Sequence, residues 1–333
     1  MPELGQWIVT PGPGATGGRS MKVWIDTDGG VDDALALACA FASPRIELAG
    51  ISTVFGNVAP RKAARNAALV QSFFPPPHVS IRVGAVAPLT GSWRDAHLIH
   101  GEDGLGGASA GHALGYEVGH VHEDGPELCA RQIAAYARQA GRDDAIICIG
   151  PLTNLAIALR LDPGAFDNLD RIICMGGALS IPPSRRGTVE FNFGSDLEAV
   201  RGVLAAAPRL TVIPLDTCRQ VVLRRARLAA IAERSGSPLT RFLQRAHNHY
   251  MDRYRASDGI DGCYPHDALA IAALAEPGVF TFQTLALELA GDASFPGLLR
   301  QSLQGRPVQI ATAANQRAAL DWIEACISTP ASH

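Results

Sequence analysis

Four aspartates lie within eight residues near the start of the chain, in the run DTDGGVDD. They are Asp26, Asp28, Asp32 and Asp33, here named the aspartate cluster. One or two acids at the start of a helix are explained by capping, because a carboxylate stabilises the positive end of the helix dipole. Four clustered carboxylates repel one another, and a bound cation relieves that repulsion. The run therefore favours a metal or polyol site over capping, and its two glycines let the backbone fold tightly around an ion.

Further polar residues follow later apolar runs, at points where strands are predicted to end. They are Asn57, Thr153, Glu190 with Phe191 and Asn192, Asp196, and the pair His266–Asp267. Each has a structural alternative, such as a turn for Asn57, a helix N-cap for Thr153 and a surface loop for residues 190–192. Taken singly, these residues leave both interpretations open.

Two spatial predictions follow if these residues form one site. Glu190 and Asn192, two apart in an extended segment, should point the same way, with Phe191 on the other side. Asp267 should meet the aspartate cluster across the sheet. His100, in the run HGEDG, adds a further polar group whose role the sequence leaves open.

The type of ligand atom in this set indicates which ion would bind. The candidate ligands are carboxylate and carbonyl oxygens, with no thiolate and no clear histidine pair. Hard oxygen ligands in an irregular cage suit Ca²⁺ best and Mg²⁺ second, and they disfavour Zn²⁺.

Short apolar runs alternate with helical patterns along most of the chain. Strands are predicted at 22–25, 46–55, 80–84, 145–150, 171–177, 210–215, 279–289 and 307–312. Helices are predicted at 31–41, 60–73, 126–140, 153–160, 196–206, twice within 225–256 and near 267–275. Residues 88–125 show little periodicity and are typical of a lid or a site wall. The alternation predicts an α/β single domain with a mostly parallel central sheet and helices on both faces, whose ligand lies beyond the carboxyl ends of the strands.

Composition limits the class of protein. A content of 47% hydrophobic and 18% charged residues is that of a soluble globular enzyme, and a net charge of -3 gives no electrostatic case for nucleic acid. Seven cysteines without a CxxC pair predict reduced thiols in a cytoplasmic protein. No run of about 18 uncharged apolar residues occurs, so no membrane partner is predicted. Residues 1–20, rich in Gly and Pro, are predicted to be a flexible leader before a catalytic domain at 21–330.

Together these motifs resemble the inosine-uridine-preferring nucleoside hydrolase family. DTDGGVDDA at 26–34 is similar to its N-terminal aspartate signature. FGN at 55–57, GPLTNLA at 150–156, MGG at 175–177, EFN at 190–192 and HD at 266–267 follow in the family's order. The resemblance implies a Rossmann-like nucleoside hydrolase fold, commonly assembled as a homodimer or homotetramer.

The resemblance also implies a role for each matching residue. Asp28, Asp33, Asp267 and the carbonyl of Thr153 would hold the metal, and Asp28 would also accept a proton from the attacking water. His266 would lie near the leaving base as a candidate acid. The ribose would be bound by Asp32, Asn57, Glu190 and Asn192. Phe191 and His100 are further candidates for substrate binding, which their positions in the chain rather than the resemblance suggest. Asp26 would support the metal-binding aspartates without itself holding the metal.

Three positions depart from the family pattern. Gly29 stands where the family usually has Pro, Ser184 where an Asn precedes the EFN motif, and Ala268 where Pro often follows HD. The change at Ser184 bears on how the 5′ side of the ribose is held.

The resulting hypothesis is hydrolysis of a ribonucleoside to base and ribose. Cleavage of an N-glycosidic bond has a transition state that resembles an oxocarbenium ion, so it is helped by an activated water, a clamped sugar and stabilisation of the leaving base. A haloacid dehalogenase-type phosphatase also begins with Asp-x-Asp after a strand. That chemistry needs a downstream lysine, and only Lys22 and Lys62 are present. A non-catalytic nucleoside or ribose sensor on the same fold is the remaining alternative.

Overall fold

The computed structural model describes residues 20–112, 120–180, 190–290 and 295–328. All of the predicted leader except Ser20 lies outside these ranges, as does Ser184. In chain order the strands are β1 (Met21–Thr27), β2 (Ile46–Thr53), β3 (Ile81–Val83), β4 (Val121–His122), β5 (Ala145–Cys148), β6 (Arg171–Met175), β7 (Leu210–Ile213), β8 (Leu223–Arg224), β9 (Gly262–Cys263), β10 (Phe280–Leu289), β11 (Leu299–Gln301) and β12 (Arg306–Ala314).

Ten of these strands form one sheet, in the order β11-β10-β12-β7-β6-β5-β1-β2-β3-β4. From β12 to β4 every neighbouring pair is parallel, and only the pairs made by β10 are antiparallel. β8 and β9 form a separate two-stranded ladder. The prediction of a mostly parallel sheet is confirmed, and β1 lies near its middle, where the aspartate cluster follows it.

Helices connect the strands. They are α1 (Val31–Ala42), α2 (Pro60–Gln71), α3 (His97–His100), α4 (Gly125–Gln139), α5 (Thr153–Leu161), α6 (Phe191–Ser195), α7 (Leu197–Ala206), α8 (Leu215–Cys218), α9 (Arg225–Ser235), α10 (Pro238–Asp258), α11 (His266–Ala275) and α12 (Gln316–Ser328).

Both faces of the sheet are covered, as β1 shows. Its side chains alternate between faces, so Val23 and Ile25 join the apolar core under α1, α2, α10, α11 and α12. Trp24 points the other way and joins the core under α4, α5 and α7. A strand buried on both faces reads as a continuous apolar run, which is how 22–25 reads in the sequence.

The structure differs from the prediction in the segment 88–125. This segment contains the one-turn helix α3 and the short strand β4, which extends the edge of the sheet beside β3. Elements of two to four residues are too short to leave a recognisable hydrophobic period. Within the described ranges, no helix combines the length and the apolar character needed to cross a membrane.

Candidate active site

Asp33 is held by the loop that joins β1 to α1. Its Oδ2 accepts a hydrogen bond from the Gly30 N–H at 2.7 Å, and its Oδ1 accepts from the Asp28 N–H at 3.2 Å. The Thr27 hydroxyl donates to the same Oδ1. One acid of the cluster therefore does cap α1, as the structural alternative required, and three others remain to be explained.

Asn57 connects two of the aspartates. Its side-chain Nδ2 donates to Asp28 Oδ1 at 2.9 Å and to Asp33 Oδ2 at 3.1 Å, while its backbone N–H donates to Asp28 Oδ2 at 2.8 Å. A Cβ atom on Gly56 would lie 2.0 Å from Asp28 Oδ2, so only glycine fits there. The loop after β2 thus fixes the Asp28 carboxylate from two sides.

Asp267 reaches the aspartate cluster from α11. Oxygen atoms of Asp32, Asp33 and Asp267 all lie within 4.8 Å of one another, and all three residues are buried. The prediction that Asp267 meets the cluster is confirmed. Asp28, which the sequence predicts as a ligand, is not part of this trio, and Asp32, predicted to bind ribose, is.

Burial and repulsion by neighbouring charges raise the pKa values of Asp28, Asp32 and Asp267. Burial is the largest cause of the raised pKa of Asp28, and the charges of Asp33 and Asp32 add to it. The pKa of Asp32 rises to about 7 for the same reasons, burial first and Asp33 second. The pKa of Asp267 is raised by burial and then by the charges of the three aspartates.

A cation would relieve the repulsion between these carboxylates. A carboxylate oxygen of Asp32 also needs a partner, which a cation or a ligand hydroxyl would supply. Oδ1 of Asp32 is buried and has no hydrogen-bond partner among the described residues. An unsatisfied buried carboxylate oxygen is costly unless a ligand satisfies it. The all-oxygen set therefore fits a hard divalent cation together with a hydroxylated ligand.

Thr153 and Asp26 do not belong to the trio of Asp32, Asp33 and Asp267. The N-cap of α5 is Leu152, so the capping alternative for Thr153 is wrong. The Thr153 hydroxyl instead donates to Asp196 Oδ2 at 2.7 Å. Asp26 lies on the same face of β1 as Trp24. There its Oδ1 accepts hydrogen bonds from the Ser52 hydroxyl and from Asn154, the latter at 2.8 Å. Burial raises the pKa of Asp26 to about 7, against the lowering effect of both hydrogen bonds.

Asn154 is a residue that the sequence analysis missed. It donates to Asp26 and to the backbone of Thr53 at 3.1 Å, and its Oδ1 accepts from the Ala85 N–H at 2.9 Å. It thus ties the start of α5 to the ends of β2 and β3. Its position directly after Thr153 in GPLTN was the available signal.

The segment 190–192 is not extended, which corrects the predicted geometry. Glu190 is the N-cap of α6 and accepts the backbone N–H groups of Asn192 and Phe193. It also accepts the Gly177 N–H at 2.7 Å. This capping places Phe191 in the first helical turn, so it is not on the far side of the chain from the other two.

Asn192 is anchored by its own side chain. Its Nδ2 donates to the carbonyl of Ile149, just after β5, at 3.1 Å and to that of Met175, the last residue of β6, at 3.2 Å. Its amide group therefore has a structural role whether or not it also touches a ligand.

A cavity lies beside the trio, beyond the carboxyl ends of the strands. Most of the residues predicted from the sequence line it, and these are Asp32, Asn57, His100, Glu190, Phe191, Asn192, His266 and Asp267. Tyr250 and Tyr254 of α10 and Ile99 of α3 line it as well. Asp26, Asp28, Asp33 and Thr153 lie behind this lining.

His100 is a neutral residue in this wall. Its Nδ1 accepts the Val31 N–H at 3.0 Å and lies 3.8 Å from Asp32 Oδ1. Burial lowers its pKa to about 3, and the charges of His249 and His247 add to the lowering. Because Nδ1 is an acceptor, the proton of the neutral ring resides on Nε2.

A line of hydroxyls joins Asp32 to His266. The Tyr250 hydroxyl donates to Asp32 Oδ2 at 3.1 Å and lies 3.4 Å from the Tyr254 hydroxyl. The Tyr254 hydroxyl lies 2.8 Å from Nε2 of His266. The i, i+4 spacing of the tyrosines places both on one face of α10, which is the sequence signal for this arrangement.

The chain is similar to known proteins over nearly its whole length. The family model described as inosine-uridine preferring nucleoside hydrolase matches residues 23–321. Uridine nucleosidase 1 from Arabidopsis thaliana is 28% identical over 326 residues, which cover 94% of this chain and 95% of its own length. The non-specific ribonucleoside hydrolase RihC from Salmonella paratyphi A is 32% identical over 311 residues, which cover 91% of this chain and 94% of its own length.

Solved structures give the same result. A plant nucleoside hydrolase, the PpNRh1 enzyme, superposes with a TM-score of 0.84 at 25% identity, covering 94% of this chain and 100% of that one. A purine-preferring ribonucleoside hydrolase from Gardnerella vaginalis superposes with a TM-score of 0.82 at 25% identity, covering 93% and 99%. The chain therefore belongs to the inosine-uridine preferring nucleoside hydrolase family, whose members are enzymes that hydrolyse N-glycosyl bonds.

Proposed function

We propose that the chain is a Ca²⁺-dependent hydrolase that cleaves ribonucleosides to free base and ribose. The observation that carries the proposal is the convergence of Asp32, Asp33 and Asp267, from distant parts of the sequence, beside a cavity that His266 also lines. Ribonucleoside hydrolysis is also named for the relative from Salmonella.

The metal would be held by Asp28, Asp33, Asp267 and the carbonyl of Thr153. The proximity of Asp32 to the trio supports a further contact from that residue, either to the ion or to a sugar hydroxyl shared with it. Ca²⁺ is preferred over Mg²⁺ because the oxygen set is irregular and buried. When bound, the ion would acidify a water molecule and hold positive charge next to the sugar.

The remaining chemistry belongs to the side chains. Asp28 would accept the proton of the attacking water, since its carboxylate is buried and oriented by two bonds from Asn57. Asp32 would bind a ribose hydroxyl through its unsatisfied Oδ1. Glu190 and Asn192 would shape the sugar end of the cavity, and His266 would meet the departing base.

Several finer features stay predictions. The named relatives differ in base preference, since one is a uridine nucleosidase and another a non-specific ribonucleoside hydrolase. We also propose a cytoplasmic homodimer or homotetramer built from a single catalytic domain at 21–330. The phosphatase hypothesis is not retained, because the family and the structural neighbours are those of nucleoside hydrolases.

The test is the release of reducing sugar by wild-type protein and by Asp28→Asn across a panel of ribonucleosides. We expect the substitution to lower the rate by at least ~10²-fold, the scale of a lost general base. One oxygen that accepts a bond from Asn57 becomes an NH₂ group, so metal content and melting temperature must be measured alongside.

Asp321→Asn, an exposed change on α12, is the matched control and should leave the rate unchanged. Binding of nucleosides without any release of ribose would show a sensor rather than an enzyme.

A further inference from the structure

Asn66 of α2 bonds to two loops that surround the candidate site. Its side chain is buried, with an exposed fraction of 6%. Its Nδ2 donates to the carbonyl of Gly29 at 2.8 Å and to the carbonyl of Asp103 at 2.9 Å. A side-chain amide nitrogen carries two protons, so both are used. Asn66 therefore connects α2 to the loop between β1 and α1 and to the loop that follows α3.

The carbonyl of Gly29 belongs to the same peptide unit as the N–H of Gly30. A trans peptide is planar, so its C=O and N–H groups point in opposite directions. The Gly30 N–H donates to Oδ2 of Asp33 at 2.7 Å. Asn66 thus holds one end of a rigid unit whose other end holds the Asp33 carboxylate.

This peptide unit needs such support because a glycine lies on each side of it. A flip of the unit changes ψ of Gly29 and φ of Gly30, and glycine has no Cβ atom to restrict either angle. The proline that the family usually has at position 29 would narrow ψ. In this chain, a flipped unit would turn the Gly29 carbonyl toward the Asp33 carboxylate and the Gly30 N–H toward Nδ2 of Asn66. Acceptor would then face acceptor and donor would face donor, so Asn66 opposes the flip.

We propose that Asn66 is a positioning residue that locks the peptide between Gly29 and Gly30 in the orientation that keeps Asp33 in place for the cation. The bond from Asn66 also polarises the peptide, which makes the Gly30 N–H a stronger donor to Asp33. The inference rests on the proposed function only for the identity of the cation. Loss of this lock should weaken binding of the cation by protein that is still folded.

The second bond of Asn66 sets the direction of the first. The two N–H bonds of an amide lie in one plane at a fixed angle, so the bond to the Asp103 carbonyl aims the other proton at Gly29. Asp103 is itself held by its own loop. Its carboxylate accepts the Gly107 N–H at 2.9 Å and the Ser109 hydroxyl at 2.6 Å. The loop after α3 therefore provides a fixed point from which the Asn66 amide is oriented.

The direct test is amide hydrogen exchange, followed by NMR in ¹⁵N-labelled protein at saturating Ca²⁺. We expect the Gly30 N–H to be protected in the wild type and to exchange at least ~10-fold faster in Asn66→Ala, the scale of one lost hydrogen bond. The Asn57 N–H, which donates to Asp28 Oδ2 at 2.8 Å, should exchange at the same rate in both proteins. An unprotected Gly30 N–H in the wild type overturns the proposal, and this result needs no variant that might misfold.

Calorimetric titration with Ca²⁺ alone gives a second measurement. Asn66→Ala should lower the Ca²⁺ affinity of the folded protein by about tenfold. Gln71→Ala is the matched control, because Gln71 is a buried amide on the same helix that bonds to the backbone of Val79, at 3.0 and 3.4 Å. It should lower the melting temperature and leave the Ca²⁺ affinity unchanged. Equal affinities for wild type and folded Asn66→Ala would overturn the proposal.

Ser109→Ala separates the two bonds of Asn66. It loosens the loop after α3 by removing a bond to Asp103 and leaves the bond between Asn66 and Gly29 in place. We expect its Ca²⁺ affinity to match the wild type, and a loss equal to that of Asn66→Ala would contradict a role through Gly29.

These measurements also separate the positioning role from the proposed function, since they need no substrate. Expected exchange rates and affinities without any ribose release would refute the proposed function and leave the role of Asn66 intact. If the wild type binds no Ca²⁺, the proposed cation is wrong, and the exchange of the Gly30 N–H still decides the role of Asn66.

Discussion

At the scale of single residues, His266 is the group whose contribution depends most on the substrate. A poor leaving base needs help as the bond breaks, whereas p-nitrophenolate leaves without it. We therefore expect His266→Ala to lower kcat by roughly 10²-fold on natural nucleosides and hardly at all on p-nitrophenyl riboside. His97→Ala, an exposed histidine paired with Asp95, should change neither rate. Equal losses on both substrates would mean that His266 does not act on the leaving group.

Asp32 makes a prediction about the sugar. If its buried Oδ1 binds the 2′-hydroxyl, a 2′-deoxynucleoside leaves that oxygen unsatisfied, and sites built for a hydroxyl reject the deoxy analogue by up to ~10⁴-fold. The intrinsic chemistry opposes this, because the 2′-oxygen withdraws electrons from the forming cation. We expect the binding effect to prevail, since it also positions the ring.

Matched values of kcat/KM for ribo-, 2′-deoxy- and 5′-deoxynucleosides provide the measurement. Comparable ribo- and 2′-deoxy- values would contradict the role of Asp32. Tolerance of the 5′-deoxy substrate would support a weakened 5′ grip at Ser184.

At the scale of elements, the loop between β1 and α1 depends on glycine where the family usually has proline. Gly29 has φ +75°, which proline cannot adopt, and a Cβ atom there would lie 2.4 Å from Cα of Ala63 in α2. We expect Gly29→Ala to lower both the melting temperature and the Ca²⁺ affinity, because the loop must move away from α2.

Gly91→Ala separates the effect of a positive φ from the effect of contact with α2, since Gly91 has φ +84° but open space around it. This substitution therefore carries only the cost of placing a side chain at positive φ, about 1 kcal/mol. Calorimetric melting and Ca²⁺ titration of both variants make the comparison. Equal losses would mean that contact with α2 is unimportant.

The elements also show where sequence reasoning reached its limit. The strand before Asp26 and the helix after it were predictable, because a buried apolar run followed by a helical pattern has few other solutions. The short helix α6 was not, because five residues carry no period. Glu190 caps that helix, and its carboxylate also accepts the N–H of Gly177, a tertiary contact that no local pattern contains. The hydrogen bonds of Asn57 and Asn154 could not be predicted either, because they join residues far apart in the sequence.

At the scale of the whole molecule, the site is assembled from parts far apart in the chain. Asp32 and Asp33 come from the first helix and Asp267 from α11. The sequence predicted that they meet from their positions after predicted strands and from the family order of the motifs. Their contact follows from the packing of α1 against α11 in one apolar core. No local pattern contains this information.

The buried His247 ties the stability of the fold to pH. Burial lowers its pKa from 6.5 to about 4, and its bond to the Leu243 carbonyl partly offsets that effect. The unfolded state therefore binds more protons than the folded state between pH 4 and 6.5. The stabilisation is complete above pH 6.5, and about 3 kcal/mol is lost as the pH falls to 4.

The raised pKa values of Asp26 and Asp32 make the free energy of unfolding fall as the pH rises, which opposes the effect of His247. The contribution of His247 is therefore measured by comparison with a variant. His247→Asn keeps a donor toward Leu243 but does not titrate. Denaturant unfolding at pH 7 and pH 4 should show a wild-type advantage that shrinks as the pH falls. A difference in stability between wild type and variant that does not change with pH would contradict the role of His247 in this pH dependence.

We expect a cation held by the buried aspartates both to complete the fold and to make ribonucleoside hydrolysis possible. Exhaustive chelation, verified by elemental analysis, tests both parts in one sample when ribose release and melting temperature are followed during Ca²⁺ titration. We expect the metal-free chain to release no ribose and to melt at a lower temperature, because the ion binds only the folded state, and we expect Ca²⁺ to restore both properties with one affinity. Full ribose release by a demonstrably metal-free sample would contradict the account.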